Sequence, residues 1–255
     1  DAMADEQGRG ATLSELAERT GLSVSTAHRL LATLIEDGFA IRDRDSGFYV
    51  PGHRTAGIAA SVERRTAYLR ALVRPQLEKI AAETGETTNL VVLDDVRAVY
   101  LDQVPGARAV RMSSRVGSTF PAHSSGSAKA ILAFQLDDAL LNSLLAKAPF
   151  QRFTSETLTT PADLQADLER TRQRGYAIEA EEYESGAGCI AAPIRDARGA
   201  AIAAISLPGP VQRVLGADAA RLGALILRHA DEISRVLGYR PSEKPRRRET
   251  GSAAR

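Results

Sequence analysis

The sequence has few of the features that mark secreted, membrane or metal-binding proteins. It contains one cysteine in 255 residues, Cys189, which excludes an internal disulfide framework. No apolar run approaches the roughly 20 residues that a membrane helix needs, and the start of the sequence does not resemble a signal peptide. The spacings typical of zinc sites and phosphate-binding loops are missing. We therefore expect a cytoplasmic protein that makes no contact with a membrane and uses no cofactor or metal.

The chain also has little net charge. Lys and Arg together number 33 and Asp and Glu 32, which gives a formal charge of +1. The net charge therefore indicates neither nucleic acid nor a membrane as a partner. Any function has to be argued from specific motifs. The content of 44% hydrophobic and 25% charged residues is ordinary for a soluble globular protein.

The length favours two domains, because 255 residues exceed what one hydrophobic core usually organises. We predict a small domain over residues 1–55, a helical linker over 56–74 and a larger domain over 75–240. The Pro-rich, basic residues 241–255 lack apolar periodicity, which predicts a disordered tail. Residues 1–4 are typical of the end of a helix, so we interpret the first helix of the small domain as incomplete.

Two short helices joined by a glycine are predicted near the start of the chain. Thr12 and Glu15 have the spacing of a capping box, which predicts a helix beginning there, and Gly21 favours a tight turn at its end. Ser23 is a candidate N-cap for a second helix. Apolar residues at helical spacing predict the inner face of that helix: Val24, Ala27, Leu31 and Leu34.

The outer face of the second helix is polar and is a candidate for DNA recognition. Short hydroxyl side chains let a helix approach phosphates and bases closely, and the planar fork of arginine matches guanine or a phosphate. The candidate DNA-binding residues of this helix are Ser23, Ser25, Thr26, His28 and Arg29. Two helices at this spacing are typical of a helix-turn-helix, although a helical hairpin with a solvated face fits the same pattern.

Residues 39–51 favour the helix-turn-helix, because they alternate apolar and polar residues around a turn, as a β-hairpin wing would. Arg42 and Arg44 are candidate phosphate contacts on this wing, and Arg54 is a third cation nearby. Such arginines can equally be solvated only. Residues 1–55 carry six arginines against nine acids, so DNA binding by this segment depends on where the arginines are placed.

Between Gly57 and Gly85 the apolar residues have helical spacing, and Pro75 predicts a break near the middle. The apolar stripe is long enough for a dimer contact, but packing within one core explains it as well. We expect a homodimer or a dimer of dimers.

The larger domain is predicted to be α+β. Extended patterns predict strands at 89–93, 99–104, 178–182, 189–195 and 201–207, and helical patterns predict helices at 127–134, 137–147, 161–174 and 219–237. Antiparallel strands with intervening helices suit a cup that holds a small ligand.

Residues 121–127 form a polar, glycine-containing segment that leads directly into a helix. Free amides at a helix start attract anions, so Ser124 and the hydroxyls up to Ser127 are candidate contacts for a ligand carboxylate. The same hydroxyls could instead cap the helix, and His123 could be a core histidine.

The chain resembles the isocitrate lyase regulator (IclR) family in four segments. These segments are Leu22–Leu31, Gly117–Ala130, Arg174–Ala177 and Cys189–Ile194, and together they extend over nearly the whole chain. The resemblance implies an N-terminal winged helix-turn-helix, a helical linker and a C-terminal GAF-like antiparallel sheet domain with flanking helices. It also implies effector-contact roles for Gly117, Ala122, His123, Glu179, Cys189 and Ser206.

The sequence departs from the family pattern at four of these positions. Glu179 stands where relatives that bind small acids have aspartate, and Pro208 stands where a second serine is common. Val24 replaces a frequent lysine and Ala128 a frequent glycine. A two- or three-carbon oxoacid ligand therefore cannot be carried over to this chain by analogy.

We predict a ligand-responsive transcriptional regulator, a repressor rather than an activator, whose partners are double-stranded operator DNA and a small-molecule effector, with a carboxylic acid as the expected chemical class. The alternatives are a sensor that has lost DNA binding and an enzyme with Cys189 as nucleophile and His123 as base. We predict no enzymatic activity, because Cys189 lies in an apolar run without a cationic neighbour that would lower its pKa.

Overall fold

The computed structural model describes Met3 and residues 10–110, 115–135 and 139–240, with the side chains of residues 61–65 excepted. The expectations for residues 1–2, 4 and 241–255, and for the start of the helix predicted at residue 137, lie outside the described residues. The chain forms two compact units, Asp1–Tyr68 and Leu69–Arg255. Across the described residues, every helix is too short or too polar to cross a bilayer.

The first unit contains two helices followed by a hairpin. They are α1 (Leu13–Thr20), α2 (Val24–Glu36), β1 (Ala40–Arg42) and β2 (Tyr49–Pro51). The capping box that opens α1 is confirmed, with the Thr12 amide 2.7 Å from the Glu15 carboxylate. Gly21 ends the helix at a φ of 67°, a conformation that side chains with a Cβ rarely adopt. The predicted helix-turn-helix and its hairpin are therefore both present.

One residue predicted for the inner face of α2 is on the outside. Val24 is 51% exposed, whereas Ala27 and Leu31 are buried against α1 and the hairpin. Val24 is the first residue of α2, and the buried stripe begins only one turn later at Ala27. The prediction for Val24 was wrong because helical spacing alone does not show where along a helix its contacts begin.

A single helix, α3 (Arg54–Thr84), follows the hairpin and crosses the boundary between the units. The predicted break at Pro75 is wrong, because α3 continues through that residue. Proline costs the helix one backbone hydrogen bond. Packing of Val73, Leu77 and Ile80, all fully buried in the core of the second unit, offsets that loss.

The second unit is built on a six-stranded antiparallel sheet. Its strands are β3 (Thr88–Asp94), β4 (Arg97–Val104), β5 (Thr119–Pro121), β6 (Ala177–Ala180), β7 (Ala187–Arg195) and β8 (Ala201–Pro210). Their order across the sheet is β5-β4-β3-β8-β7-β6. β6 ends at Ala180, two residues before its predicted end, because Glu181 adopts a φ of 57° and turns the chain.

Helices cover both faces of this sheet. They are α4 (Gly126–Leu132), α5 (Ala139–Leu145), α6 (Pro161–Arg174), α7 (Val211–Val214) and α8 (Ala219–Val236). On one face, the C-terminal half of α3 and α8 pack around Leu90 and Ile205. On the other face, α4, α5 and α6 pack around Val91. Leu90 and Val91, neighbours on β3, thus pack into the cores on opposite faces of the sheet, as the alternation of side chains along a strand requires. The α+β class is confirmed.

Candidate functional site

The N-terminus of α2 presents a set of hydroxyl groups. The Ser23 hydroxyl accepts a hydrogen bond from the Thr26 amide at 3.2 Å and so caps the helix. It also lies 3.1 Å from the Ser25 hydroxyl and 2.8 Å from the Thr26 hydroxyl. Ser23 and Ser25 are exposed, and Thr26 is half-buried. Three short donors therefore converge within one helical turn.

His28 and Arg29 continue this surface along α2. Both side chains are exposed, and no ion pair or side-chain hydrogen bond holds either of them within the described residues. We call Ser23, Ser25, Thr26, His28 and Arg29 the recognition face. It has the small, polar N-terminal turn and the free cation that a major-groove helix uses.

The three arginines on or next to the hairpin have different surroundings. Arg42 donates from Nε to the Gly47 carbonyl at 3.4 Å, and its guanidinium lies 5.7 Å from the centre of the Tyr49 ring. Arg44 is exposed at the hairpin tip. Arg54 is held outside the hairpin, since it donates to the Asp37 carbonyl at 2.9 Å and lies 4.8 Å from the Phe39 ring centre. Arg44 differs from the other two in that, among the described residues, no side-chain hydrogen bond, ion pair or aromatic contact holds it.

The second unit contains a cavity of about 300 Å³ beside the start of α4. We call it the ligand cavity. Its walls come from α4 and the residues just before it, from β4, β5, β6, β7 and β8, and from the turn after β6. The lining residues are Tyr100, Phe120, Ser124, Ser125, Gly126, Ser127, Glu179, Tyr183, Glu184, Ala187, Gly188, Cys189 and Pro208. This volume is at the lower end of the range for small-molecule sites.

Glu179 is the buried charged group of this cavity. Its side chain is 6% exposed, and its Oε1 atom accepts hydrogen bonds from the Glu182 amide at 2.6 Å and the Tyr183 amide at 3.4 Å. Burial and the nearby Glu182 carboxylate raise the pKa of Glu179 to about 7, against the smaller opposing effect of these amides. Glu179 can therefore exchange a proton near neutral pH.

Cys189 lies opposite Glu179 in the strand pair β6–β7. Burial and the Glu179 carboxylate raise the pKa of the Cys189 thiol to about 12. A thiol with that pKa is almost entirely protonated at neutral pH and is a poor nucleophile. His123 does not line the cavity, so the pair required by the enzyme hypothesis does not meet there.

Two of the hydroxyls at the start of α4 make hydrogen bonds or close contacts with the backbone. The Ser125 hydroxyl accepts a hydrogen bond from the Ala128 amide at 3.4 Å, which is the capping role considered as an alternative. The Ser124 hydroxyl lies 3.5 Å from the Pro121 carbonyl. α4 has only seven residues. Ser124, Ser125 and Ser127 nevertheless all reach the cavity lining.

Of the seven candidate effector residues, the cavity brings together Ser124, Glu179 and Cys189. Ser206 is not among the lining residues. It is fully buried on β8, two residues before the lining residue Pro208, and its side chain is a hydrogen-bond partner of Cys189. Gly117 is exposed and donates its amide to the carbonyl of Tyr100, which does line the cavity.

Ala122 and His123 do not line the cavity. Ala122 is 1% exposed in the core beneath α4. His123 stacks on Phe150 at 4.9 Å, and its Nε2 lies 3.0 Å from the Gln151 carbonyl oxygen. Burial lowers the pKa of His123. These contacts are those of a histidine packed in the core.

Three aromatic rings of the cavity were not expected from the sequence. Tyr100 and Phe120 pack edge to face with centroids 5.2 Å apart, and Phe120 packs against Tyr183 at 4.9 Å. The alternation of β4 places Tyr100 on one face of the sheet, but local pattern does not show which face holds the cavity. Tyr183 follows β6 in a turn, where periodicity carries no information.

A fully buried lysine supports the turn that carries Tyr183. The ammonium group of Lys129 lies 2.6 Å from Glu182 Oε1, 2.9 Å from Asp167 Oδ2 and 2.9 Å from the Ile178 carbonyl. Burial acts to lower the pKa of Lys129, but the two carboxylates outweigh it, so the pKa is raised and the lysine is charged. Lys129 thus joins α4 to α6 and to the chain around β6.

The comparisons with known proteins match both units. The model of the IclR helix-turn-helix domain matches residues 1–44, and the model of the bacterial transcriptional regulator IclR C-terminal domain matches residues 63–235. The chain belongs to the IclR family. IclR-family proteins are transcriptional regulators, so this member is a DNA-binding regulator and not an enzyme.

Individual IclR-family relatives cover most of the chain. The acetate operon repressor of Salmonella typhimurium is 37% identical over 91% of this chain and 85% of its own length. The IclR crystal structure from Thermotoga maritima has 35% identity and a TM-score of 0.69, covering 90% of this chain and 92% of that one. An IclR homologue from Microbacterium hydrocarbonoxydans, solved with 4-hydroxybenzoate, has 28% identity and a TM-score of 0.71 over 89% and 91% of the two chains.

Proposed function

We propose that this IclR-family member is a cytoplasmic repressor that binds operator DNA and responds to a small organic acid. Residues 1–55 would bind DNA, residues 56–74 would serve as linker and residues 75–240 would bind the effector. The observation that carries the proposal is the presence, in one chain, of the recognition face and a separate ligand cavity. Similarity to the acetate operon repressor supports repression rather than activation.

For DNA, the proposal assigns base and phosphate contacts to the recognition face and to Arg42 and Arg44. The exposed hydroxyls at the start of α2 support close approach to the major groove. A homodimer or dimer of dimers would present two recognition faces about one DNA turn apart, roughly 34 Å. An operator with two related half-sites is therefore expected.

For the effector, the proposal assigns the ligand cavity, with Glu179, Cys189 and Ser124 in its lining and Ser206 as a hydrogen-bond partner of Cys189. The rings of Tyr100, Phe120 and Tyr183 offer an apolar surface to a ligand with a flat body. The 4-hydroxybenzoate bound by the homologue from Microbacterium hydrocarbonoxydans is an acid of this kind. Pro208 supplies a ring in place of the hydroxyl that is common there, which favours apolar ligand atoms at that wall.

Ligand-dependent binding of genomic DNA tests both assignments. Fragments upstream of the chain's own gene and its neighbours are captured by the purified protein, footprinted, and challenged with a panel of aromatic and aliphatic acids. We expect protection of a two-half-site operator and release of DNA by at least one acid. Protein that shows no preference for any fragment at low ionic strength, with or without the acids, would contradict the proposal.

A further inference from the structure

Among the residues that the structure describes, no positively charged side chain lines the ligand cavity. Its thirteen lining residues include two carboxylates, Glu179 and Glu184, but no lysine, arginine or histidine. The ammonium group of Lys129, whose charge acts on Glu179, is fully buried and already paired with two carboxylates and a carbonyl. Within the described part of the chain, an organic anion entering this cavity therefore meets a buried carboxyl group and no lining side-chain cation to balance it.

The two carboxyl oxygens of Glu179 differ in their hydrogen bonding. Oε1 accepts two backbone N–H groups, and within the described part of the chain no donor is hydrogen-bonded to Oε2. As a carboxylate, Glu179 would repel a second carboxylate in this poorly solvated space. As a neutral acid, it keeps Oε1 as an acceptor and gains an O–H donor on Oε2.

We infer that Glu179 binds the ligand carboxylate as a neutral carboxylic acid, so that wherever Glu179 is ionised in the ligand-free protein each ligand anion enters with one proton taken up from solvent. This inference rests on the proposed function, since it deepens the assignment of an organic acid to the same cavity. Hydronium or a buffer acid in the solvent gives up the proton, its bond to that proton breaks, and a new O–H bond forms at Glu179 Oε2. That O–H donates a hydrogen bond to the ligand carboxylate, and no bond between heavy atoms changes.

The groups that surround Glu179 are consistent with proton uptake at that residue. Lys129 on α4 favours its ionised form, and Glu182 in the following turn disfavours it more strongly. Asp167 on α6 forms an ion pair with Lys129 and so offsets part of the positive charge that acts on Glu179. The other titratable groups of the cavity are Tyr100 on β4, Tyr183 and Glu184 after β6, and Cys189 on β7. Glu179 is the member of this set whose pKa is raised to about 7.

The inference predicts tighter binding of acids at lower pH. If only the neutral form of Glu179 accepts an anion, affinity falls about tenfold from pH 6 to pH 8, and at pH 8 nearly one proton is taken up per ligand. Uncharged ligands of the same shape are expected to bind without this dependence. The change is opposite to the one expected for a site in which a histidine or lysine must lose its proton.

Calorimetry of the full chain tests this in two buffers of different ionisation enthalpy at pH 6, 7 and 8. The probes are 4-hydroxybenzoate, benzoate and pyruvate, with benzamide as the uncharged counterpart of benzoate. In Glu179→Gln, the amide keeps an acceptor for the two backbone N–H groups and a donor for the ligand but cannot titrate. We expect this variant to bind acids with no proton uptake and less than a twofold change over the pH range.

Glu169→Gln is the matched control, because it removes an exposed carboxylate on the outside of α6 that pairs with Arg172. It is expected to show the same proton uptake as the unaltered chain. Acid binding without proton uptake at pH 8, or uptake that persists in Glu179→Gln, overturns the inference while leaving the proposed function in place. If none of the acids binds at pH 6 at millimolar concentration, the organic-acid class is overturned, and the inference is overturned with it.

Discussion

At the scale of single residues, Glu179 links the chemistry of the cavity to the stability of the fold. Its carboxyl has a pKa of about 7 in the folded chain, against an ordinary value of 4.5. Between these values the unfolded chain releases this proton and the folded chain keeps it. The folded state therefore loses stability as pH rises through this window, because ionised Glu179 is better solvated in the unfolded chain.

Glu179→Gln should remove that loss. We expect the variant to gain up to about 3 kcal/mol over the unaltered chain between pH 5 and pH 8, with a small difference at pH 5. Urea unfolding followed by circular dichroism at several pH values measures it. A constant difference across this range would mean that Glu179 is ionised throughout in the folded protein.

Cys189 should be chemically inert in the folded protein. Its pKa of about 12 leaves very little thiolate at pH 7.5, so we expect alkylation by iodoacetamide at least about 100-fold more slowly than in denaturant. Because Cys189 is the sole cysteine, intact-mass spectrometry reports on it directly. Rapid labelling of the native chain at neutral pH would instead indicate an activated thiol.

The residues of the cavity differ in how well the sequence predicted them. Apolar neighbours indicated that Cys189 would be unreactive, and its high pKa agrees with that. Glu179 and Ser124 were candidates and do line the cavity, whereas Tyr100, Phe120 and Tyr183 were not. Whether a ring faces a cavity or a core depends on which sheet face is covered, and that is decided by long-range packing rather than by local pattern.

At the scale of elements, the helix predicted at 161–174 matches α6 to the residue, and its ends carry sequence signals that act locally. Thr160 caps it through the Asp163 amide at 3.2 Å, Pro161 begins it, and Gly175 ends it at a φ of 86°. Such caps act within one turn, so sequence contains them. Pro75 is the counterexample, because burial of α3 against the sheet outweighed a local break signal. β5, with three residues, is too short to produce a recognisable alternation.

Three elements depend on the buried charge of Lys129. Lys129→Met leaves Asp167 and Glu182 buried without their ammonium partner, and we expect it to cost about 3–5 kcal/mol of folding stability. Chemical denaturation measures this loss.

Lys147→Met is the control for that experiment, because Lys147 is half exposed and pairs with an exposed Asp95 at 2.9 Å. Its loss should lie within about 0.5 kcal/mol. Equal effects of the two substitutions would show that burial adds nothing to the Lys129 cluster.

At the scale of the whole molecule, the near-zero net charge means that DNA binding depends on where individual cationic side chains lie. Residues 1–55 are net acidic by three charges, so a broad electrostatic attraction to DNA is not available to them. The two-domain α+β organisation and the DNA-binding role were predictable from ordered motifs spread along the chain. The composition alone would not have indicated either.

Arg29→Ala should weaken operator binding by about 1–3 kcal/mol and relax the preference at one base position, if Arg29 reads a base. Fluorescence anisotropy with operator variants at several salt concentrations measures both effects. Arg198→Ala is the control, since Arg198 is an exposed arginine on the β7–β8 turn of the second unit. Unchanged affinity and preference in Arg29→Ala would remove Arg29 from the recognition face.

The aromatic lining of the ligand cavity has an optical consequence. The chain contains six tyrosines and no tryptophan, and Tyr100 and Tyr183 both line that cavity. Fluorescence excited at wavelengths that phenylalanine does not absorb therefore comes from tyrosine, and two of the six tyrosines line the cavity, where a bound ligand would contact them. The unlabelled protein carries its own optical reporter of whether the cavity is filled.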